Sequence, residues 1–427
     1  MQEALRRDWL ANQNMQYLAD EQNLTFKFTG EGTPIPASVM EIRNSDSLFL
    51  RAQTAPQPPK GARKITIVDL FCGAGGITLG FAEAAHSHGC QLAIKWAVDF
   101  EARAIDVYRS NFPSANAQMA DLSEIFLRDL YAQPSKIELE IKRQVGTLDI
   151  LVGGPPCQGH SDLNNYSRRN DPKNSLYLVM ARAAAILKPK FVLIENVPGA
   201  RHDKGGVFFE TASALQALGY HVTFDVVDLR DIGVPQSRRR LVLLASKSGV
   251  KNIDEVVKCY RTPRRDLAWA IEDLTDTPPD KFFNMASKPS PDNKNRIDFL
   301  FEQNLYDLPD SERPPCHRDG KHSYKSIYGR LKWNEPAQTI TSGFYSMCMG
   351  RYVHPANRRT LTAHEAARIQ FFPDYFDFTK SLTRTALAQI IGNAVPPKLS
   401  FVFGHYAIAK ICEAPEYRST PLEVIND

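Results

Sequence analysis

The sequence has no long hydrophobic run. Of its 427 residues, 43% are hydrophobic, yet no stretch approaches the roughly 18 to 20 consecutive apolar residues that span a bilayer. Residues 1–7 also lack the apolar segment of a secretory signal peptide. We therefore expect a cytoplasmic protein that does not associate with a membrane.

Cysteine is scarce and irregularly spaced. The chain has 7 cysteines and no Cys-x-x-Cys pair, which fits reduced thiols better than a disulfide framework. His86, His88 and Cys90 lie close enough in sequence to suggest zinc ligands, but a loop after a helix explains them equally well. We predict no metal site.

An excess of charge is also missing. The formal net charge is only +4, which is compatible with nucleic-acid binding without requiring it. No internal repeat or low-complexity segment stands out, and the length allows one large core or two unequal ones. Any claim of DNA binding must therefore come from local clusters.

Residues 1–62 form a predicted N-terminal extension. It ends in a linker rich in proline and glycine at residues 55–61 and has a helix expected at residues 3–19. A packing or oligomerisation arm is favoured over a small DNA-contacting unit.

Strands and helices alternate from residue 65 onwards. Buried strands are predicted at residues 65–70, 92–98, 148–152, 191–194, 222–227 and 241–245, and helices at 77–84, 102–108 and 176–187. This order predicts an α/β fold with a mainly parallel sheet that is covered on both faces. Ligands of such sheets bind at the carboxyl ends of the strands.

The composition changes after residue 246, where polar residues and proline become frequent and long apolar runs become rare. We divide the chain into the N-terminal extension, a catalytic and cofactor-binding domain (63–246 with 385–427), and a smaller irregular domain (247–384). Two later helices are expected at 361–370 and 386–391.

Polar side chains follow several of these strands. Cys157 stands in the stiff loop Gly-Gly-Pro-Pro-Cys-Gln, as a displayed nucleophile or an inert thiol. Glu195 ends another strand and would lie beside Cys157 if the two strands are neighbours. Because a carboxylate disfavours a thiolate, Glu195 makes sense there only if it addresses a substrate. Alternation places Arg238 and Arg240 on one face, where they can bind phosphate, a carbonyl oxygen or the glutamate.

A glycine-rich turn follows the first of these strands. Gly73 and Gly75 allow a ligand to approach the backbone at a helix N-terminus. Asp99 and Asp121 follow neighbouring segments, where they would accept hydrogen bonds from ribose hydroxyls and an adenine amine, respectively. Helix capping explains each aspartate equally well.

These segments, in this order, resemble the DNA cytosine-5-methyltransferase family of bacterial restriction–modification systems. The similarity covers roughly residues 64–246 and 325–408, and the motifs that carry it lie at 69–76, 155–158, 195–197, 236–240, 359–373 and 392–397. The resemblance implies a Rossmann-like fold that uses S-adenosylmethionine. It also implies methyl transfer to C5 of a cytosine that is flipped out of a specific double-stranded DNA sequence.

The resemblance further implies a role for each matching residue. Cys157 would attack C6, Glu195 would hold N3 and the amine, Arg240 would contact O2, and Arg238 would hold phosphate or order a loop. The cofactor residues would be Phe71, Gly73, Gly75, Asp99, Phe100, Asp121, Leu122, Leu176, Asn393, Ala394 and Val395. The DNA contacts would be Gln158, Ser161, Thr339 and Thr341. Asp99 stands where the family commonly has glutamate, and Phe100 where it often has a larger aromatic residue.

Target recognition is expected within residues 250–355, where aromatic residues are interleaved with basic ones. The basic residues are Arg261, Arg264, Arg265, Lys321, Lys325, Arg330, Lys332 and Arg351. We expect a monomer that acts on double-stranded DNA, with a cognate restriction endonuclease as a functional partner.

Two alternatives remain. A transfer-RNA cytosine-5-methyltransferase has the same fold, but the Cys-Phe-Thr segment of that branch is not found in the recognition region. A non-enzymatic DNA-binding relative would lack the nucleophile, whereas Cys157 is present.

Overall fold

The structure, a computed structural model, describes residues 15–20, 23–28, 39–156, 176–202, 206–280, 282–318, 326–381 and 383–413. The strands are β1 (Met15–Asp20), β2 (Asn23–Phe28), β3 (Lys64–Leu70), β4 (Gln91–Asp99), β5 (Ala117–Met119), β6 (Ile150–Gly153), β7 (Phe191–Asn196), β8 (His221–Asp228), β9 (Gln236–Ser237), β10 (Arg239–Ser246) and β11 (Ala337–Gln338). The first helices are α1 (Val39–Arg51), α2 (Gly76–Ser87), α3 (Ala102–Asn111), α4 (Leu122–Phe126), α5 (Lys136–Val145), α6 (Leu176–Leu187) and α7 (Val207–Ala217). The later helices are α8 (Ile253–Lys258), α9 (Leu267–Ile271), α10 (Pro291–Glu302), α11 (Ala363–Ile369), α12 (Arg384–Asn393) and α13 (Pro397–Glu413).

A seven-stranded sheet forms the centre of the fold. Its strand order is β5-β4-β3-β6-β7-β10-β8. β10 runs antiparallel to both of its neighbours, and the other pairings are parallel. The predicted α/β class with a mostly parallel sheet is therefore confirmed, and the carboxyl ends of β3, β4, β6 and β7 meet at one edge.

Alternation along the strands builds a core on each face of the sheet. In β7, Phe191 and Leu193 belong to the cluster that α2 and α13 cover, whereas Val192 and Ile194 belong to the cluster under α4 to α7. Side chains that alternate in this way, all apolar, are typical of a strand buried on both faces. The same period decides which face each polar residue at the strand ends adopts.

A smaller core lies between α10 and the segment 327–353. It consists of Ile297, Leu300, Leu308, Ile327, Tyr328, Met347 and Val353. We call residues 291–353 the recognition unit. α8 belongs to the same core as α2 and α13, and the domain boundary at residue 247 stays a prediction.

Part of the N-terminal extension differs from the expected helix. Residues 15–20 form a strand that pairs with residues 23–28, so the helix expected at 3–19 is wrong for that part. The partner segment, Leu-Thr-Phe-Lys-Phe at residues 24–28, is rich in strand-favouring residues. Leu50 of α1 is fully buried in the core of the catalytic domain. In the described part of the chain, none of the helices has the length and apolar character needed to cross a bilayer.

Candidate active site

A buried ion pair lies at the carboxyl end of β7. In the antiparallel register Glu195 faces Val242, two residues beyond Arg240, and alternation sends both charged side chains to the same face. Arg240 Nε lies 2.6 Å from Glu195 Oε1, with only 13% and 9% of the respective side chains exposed. Burial lowers the pKa of the Arg240 guanidinium, and Glu195 opposes that shift. The carboxylate is thereby held in one position.

The loop that leads to Cys157 starts beside this pair. β6 pairs with β7 in parallel, and a Cβ built on Gly154 would lie 3.4 Å from Glu195 Oε2. Asn196 Nδ2 donates a 2.8 Å hydrogen bond to the Pro155 carbonyl and so holds the loop. The expected proximity of the two strands is therefore observed up to Pro156. The following residues lie outside the described part of the chain and stay predictions: Cys157, Gln158 and Ser161.

Arg238 is buried between two other segments. Only 3% of the residue is exposed, and its Nη1 and Nη2 donate to the carbonyls of Ile340 (2.9 Å) and Ala394 (3.1 Å). Burial lowers the pKa of Arg238, and the nearby Arg240 lowers it further. These contacts favour the ordering of a loop over phosphate binding, because a phosphate has little access to the guanidinium.

Three residues in the turn after β3 have a positive φ. The values are +58° for Phe71, +52° for Gly73 and +96° for Gly75. Glycine adopts this conformation at no steric cost, whereas for Phe71 it costs about 1–3 kcal/mol. A Cβ on Gly75 would lie 2.5 Å from the Phe112 ring, but a Cβ on Gly73 would meet no atom within 4 Å. Gly73 therefore borders open space in which a ligand can approach the backbone.

Asp99 and Phe100 stand beside this space at the end of β4. Asp99 accepts hydrogen bonds from the backbone N–H groups of Gly73 (2.8 Å) and Glu101 (2.9 Å), one on each oxygen. Burial raises the pKa of Asp99, and these N–H groups oppose the rise. Because Glu101 caps α3, the capping alternative is wrong for Asp99. Phe100 is 65% exposed, which leaves its ring available for stacking.

Asp121 does cap a helix. Its Oδ1 accepts from Ser123 N (2.8 Å) and Ser123 Oγ (2.7 Å) at the start of α4, so the capping alternative is right and the adenine contact stays a prediction. Leu122 is 3% exposed and belongs to the core, against which Phe71 and Leu176 pack while half-buried. Leu122 is therefore a core residue that supports Phe71 and Leu176.

The last motif lies against the glycine turn and the loop toward Cys157. The Val395 carbonyl would lie 2.3 Å from a Cβ on Gly76, and Val395 Cγ2 would lie 4.0 Å from a Cβ on Gly154. Val395 thus touches both the helix of the glycine turn and the loop toward Cys157. Asn393 is exposed and Ala394 is half-buried. The structure brings the predicted cofactor residues to one edge of the sheet.

The predicted DNA-contacting threonines join the recognition unit to this edge. β11 pairs with β9, and the Thr339 hydroxyl donates to the Ser237 carbonyl. The Tyr352 hydroxyl lies 3.0 Å from Thr341 Oγ1 and donates a 2.8 Å hydrogen bond to the Thr339 carbonyl. Both threonines therefore stabilise the junction, and their contacts with DNA stay predictions.

The predicted contact with DNA is wrong for one of the basic residues, Arg265. Arg265 is only 4% exposed and pairs with Asp46 at 2.6 Å, so it cannot reach a DNA backbone. Composition does not reveal burial, which is why the sequence placed it among the surface cations. Other members form partly exposed ion pairs, such as Arg351 with Asp307. Lys321 and Lys325 lie outside the described residues.

The motifs do not indicate a buried glutamine pair that the structure contains. Gln236 Nε2 donates to the Ile369 carbonyl (2.9 Å) and to Gln370 Oε1 (2.8 Å), and Gln370 Nε2 donates to the Ile391 carbonyl (2.6 Å). Both glutamines are fully buried. Gln236 begins the Gln-x-Arg-x-Arg motif, and its position before a buried strand was the only available signal.

Within the described ranges, no group of three or more histidine, cysteine or acidic side chains could hold a metal ion. The His88 and His405 rings instead contact each other at a centroid distance of 4.2 Å. Burial lowers the pKa of His88 to about 4. The six cysteines that the structure describes are free.

The open space has the features that an adenosine ligand needs. Phe100 offers an exposed aromatic face, Gly73 leaves room for close approach, and each Asp99 oxygen keeps a second lone pair for a ribose hydroxyl. The residues present therefore fit S-adenosylmethionine.

Solved structures share this fold. The Entamoeba histolytica methyltransferase EhMeth matches with a TM-score of 0.58 and 18% identity, covering 82% of this chain and 99% of that one. The Schizosaccharomyces pombe Dnmt2 methyltransferase matches with a TM-score of 0.56 and 18% identity over the same shares. At such low identity these matches establish the fold alone.

The family follows from the sequence. Residues 65–407 match the family described as C-5 cytosine-specific DNA methylase, and the chain belongs to it. It is a DNA cytosine-5-methyltransferase whose methyl donor is S-adenosylmethionine. Type II methyltransferase M1.BsuMI of Bacillus subtilis is 44% identical over 357 residues, covering 84% of this chain and 83% of the relative. Type II methylase M.HgiDII of Herpetosiphon aurantiacus is 31% identical over 345 residues, covering 79% and 93%, respectively.

Proposed function

We propose that the enzyme methylates a cytosine within one specific double-stranded DNA sequence, that it flips this base out of the duplex, and that Cys157 bonds transiently to C6. The observation that carries the proposal is the Glu195–Arg240 pair, which is fixed 2.6 Å apart beside the loop toward Cys157.

The covalent bond is needed because cytosine C5 is a poor nucleophile. Addition of the Cys157 thiolate forms the S–C6 bond and moves the electron pair of the 5,6 double bond toward C5. When bound, S-adenosylmethionine would supply the electrophilic methyl group for C5, its S–CH3 bond breaking to leave a neutral thioether. Loss of the C5 proton to a base restores the double bond and breaks the C6–S bond, which releases the thiolate.

Glu195 and Arg240 make this addition favourable. Glu195 Oε2 faces the start of the catalytic loop, where it can hold a proton on ring N3 and accept from the amine, while Arg240 contacts O2. The positive charge of Arg240 offsets the negative charge of Glu195, so the carboxylate does not raise the pKa of a nearby thiol unopposed. The sequence-based objection to a glutamate beside a cysteine is thereby removed.

Burial of the ion pair supports the proposed base flipping. Both members of the pair are more than four-fifths buried at the sheet edge, and a base inside the duplex stack could not reach them. Extrusion costs a few kcal/mol of unstacking. The recognition unit and the loop containing Gln158 and Ser161 would contact the DNA that remains paired.

For the methyl donor, we assign Phe71, as the family resemblance implies, and the exposed Phe100 to the adenine ring, Asp99 to the ribose and Asp121 to the adenine amine. The Gly73 backbone would face the amino-acid portion of the donor. These roles follow the exposure of Phe100 and the open space at Gly73.

The relatives named Type II methyltransferases support a role in restriction–modification. We propose that the enzyme acts as a monomer in the cytoplasm and protects its target sequence from a cognate endonuclease.

The test is transfer of a labelled methyl group to duplex DNA and, separately, to transfer RNA. Wild-type protein should label only DNA, Cys157→Ser should label neither, and the control Cys259→Ser, which changes a half-exposed thiol, should keep full activity. Labelling of RNA alone would favour the transfer-RNA alternative, and an active Cys157→Ser protein would exclude the covalent mechanism.

Bisulfite sequencing of DNA from cells that express the protein then identifies the DNA sequence that is methylated. Methylated cytosines should share one sequence context. Methylation without a common context would contradict the single-target proposal.

A further inference from the structure

Helix α1 precedes every motif named above, yet its C-terminal end is joined to a distant part of the chain. The Leu50 carbonyl accepts a 3.0 Å hydrogen bond from Asp374 N, and the Ala52 carbonyl accepts one of 3.0 Å from Tyr375 N. Leu50 itself is fully buried in the main core. The helix is therefore an integral part of the fold.

Asp46 of α1 joins two buried cations. Its Oδ2 lies 2.6 Å from Arg265 Nη2 and its Oδ1 lies 2.7 Å from Lys398 Nζ, and the three side chains are 8%, 2% and 4% exposed, respectively. Burial lowers the pKa of Lys398, and Asp46 opposes that shift. Because buried charges are tolerated only when they are paired, one carboxylate stabilises both cations.

The two cations belong to different parts of the enzyme. Lys398 is in the first turn of α13, three residues after Val395 of the cofactor edge. Arg265 precedes α9, which packs in one cluster with Leu331 and Ile340, and Ile340 receives the hydrogen bond from Arg238. Asp46 thus links the cofactor side to the junction with the recognition unit.

Arg51 at the end of α1 makes a second link to the same junction. Its Nε and Nη2 lie 3.1 and 3.0 Å from the two Asp273 oxygens, and Nη2 also donates to the Trp269 carbonyl at 2.9 Å. The paired geometry fixes the direction of the guanidinium as well as its distance. Arg368 Nη1 lies 3.3 Å from Asp273 Oδ2, so Asp273 pairs with both arginines.

We propose that α1 is a brace that sets the orientation of the recognition unit relative to the catalytic edge, with Asp46 and Arg51 as positioning residues. The inference rests on the proposed role of that unit in binding the target sequence. DNA must contact the recognition unit and the Glu195 edge at the same time. A loosened junction therefore weakens productive DNA binding, while the groups that perform the chemistry remain in place.

The test compares Asp46→Asn and Arg51→Gln with the control Glu140→Gln. Glu140 of α5 also takes part in an ion pair, with Arg143 at 2.5 Å, but about half of its side chain is exposed. At a temperature where all variants are folded, both α1 variants should raise the KM for DNA about three- to tenfold with kcat within about twofold. Glu140→Gln should leave both values unchanged.

A double-mutant cycle adds a readout that general destabilisation does not move. If Arg51→Gln and Asp273→Asn act through one contact, the double variant should raise the DNA KM no more than the larger single effect. Arg51 is one-third exposed, so its substitution leaves a folded protein even if Asp46→Asn does not.

Two failures are distinguishable. A wild-type protein that does not methylate DNA overturns the proposed function. An active wild type whose α1 variants melt earlier, with an unchanged KM for DNA, shows that α1 only stabilises the fold and overturns the brace.

Discussion

Glu195→Gln keeps the shape of the side chain and removes the charge that Arg240 faces. Because both partners are buried and lie 2.6 Å apart, loss of one charge should cost about 3–5 kcal/mol of unfolding free energy. Glutamine also cannot stabilise a positive charge on the cytosine ring. Loss of such electrostatic stabilisation typically lowers kcat by about 100- to 1000-fold, which corresponds to about 2.7–4 kcal/mol.

The chain contains a matched control for this substitution. Glu138 is fully buried and forms a two-point contact with Arg182 at 2.7 and 2.8 Å, between α5 and α6. Glu138→Gln should lose at least as much stability in urea unfolding but keep its kcat in a methyl-transfer assay below both melting temperatures. Equal losses of kcat in the two variants, or a stable and fully active Glu195→Gln protein, would refute the reasoning.

Three further outcomes are expected. Burial raises the pKa of Asp69 from 3.8 to about 7. The folded state therefore holds an extra proton between these two pH values, and the free energy of unfolding falls as the pH rises from about 4 to about 7. Asp69→Asn should flatten this fall in urea unfolding measured across that pH range. Gly75→Ala should lower the melting temperature more than Gly73→Ala, because its Cβ would lie 2.5 Å from the Phe112 ring; equal melting temperatures would contradict this packing. Phe100→Ala should raise the KM for S-adenosylmethionine about tenfold with little change in melting temperature, because the ring is 65% exposed; an unchanged KM would exclude the stacking role.

The central sheet could be predicted because its strands are short, apolar and buried on both faces. Leu193 and Ile194 show the pattern, since they face different clusters although both are apolar. Strand ends were less predictable. β10 begins at Arg239, two residues before the predicted start, because β8 pairs with Arg239 and Arg240.

Long-range charge pairing could not be predicted. Asp46 and Lys398 are 352 residues apart in sequence, and nothing in either local pattern indicates that they meet. The same limit explains the error at Arg265, whose partner lies in the N-terminal extension. Motif order located the catalytic edge, whereas the contacts that hold it depend on packing between distant segments.

The most direct test of the central claim uses duplex DNA in which the target cytosine carries fluorine at C5. Because fluorine cannot leave as the C5 proton does, the C6–S bond should persist after methyl transfer. Peptide mass spectrometry should then find the nucleotide attached to Cys157, and only when S-adenosylmethionine is present. Methylation of ordinary DNA without such an adduct, or with the adduct on another cysteine, would contradict the account.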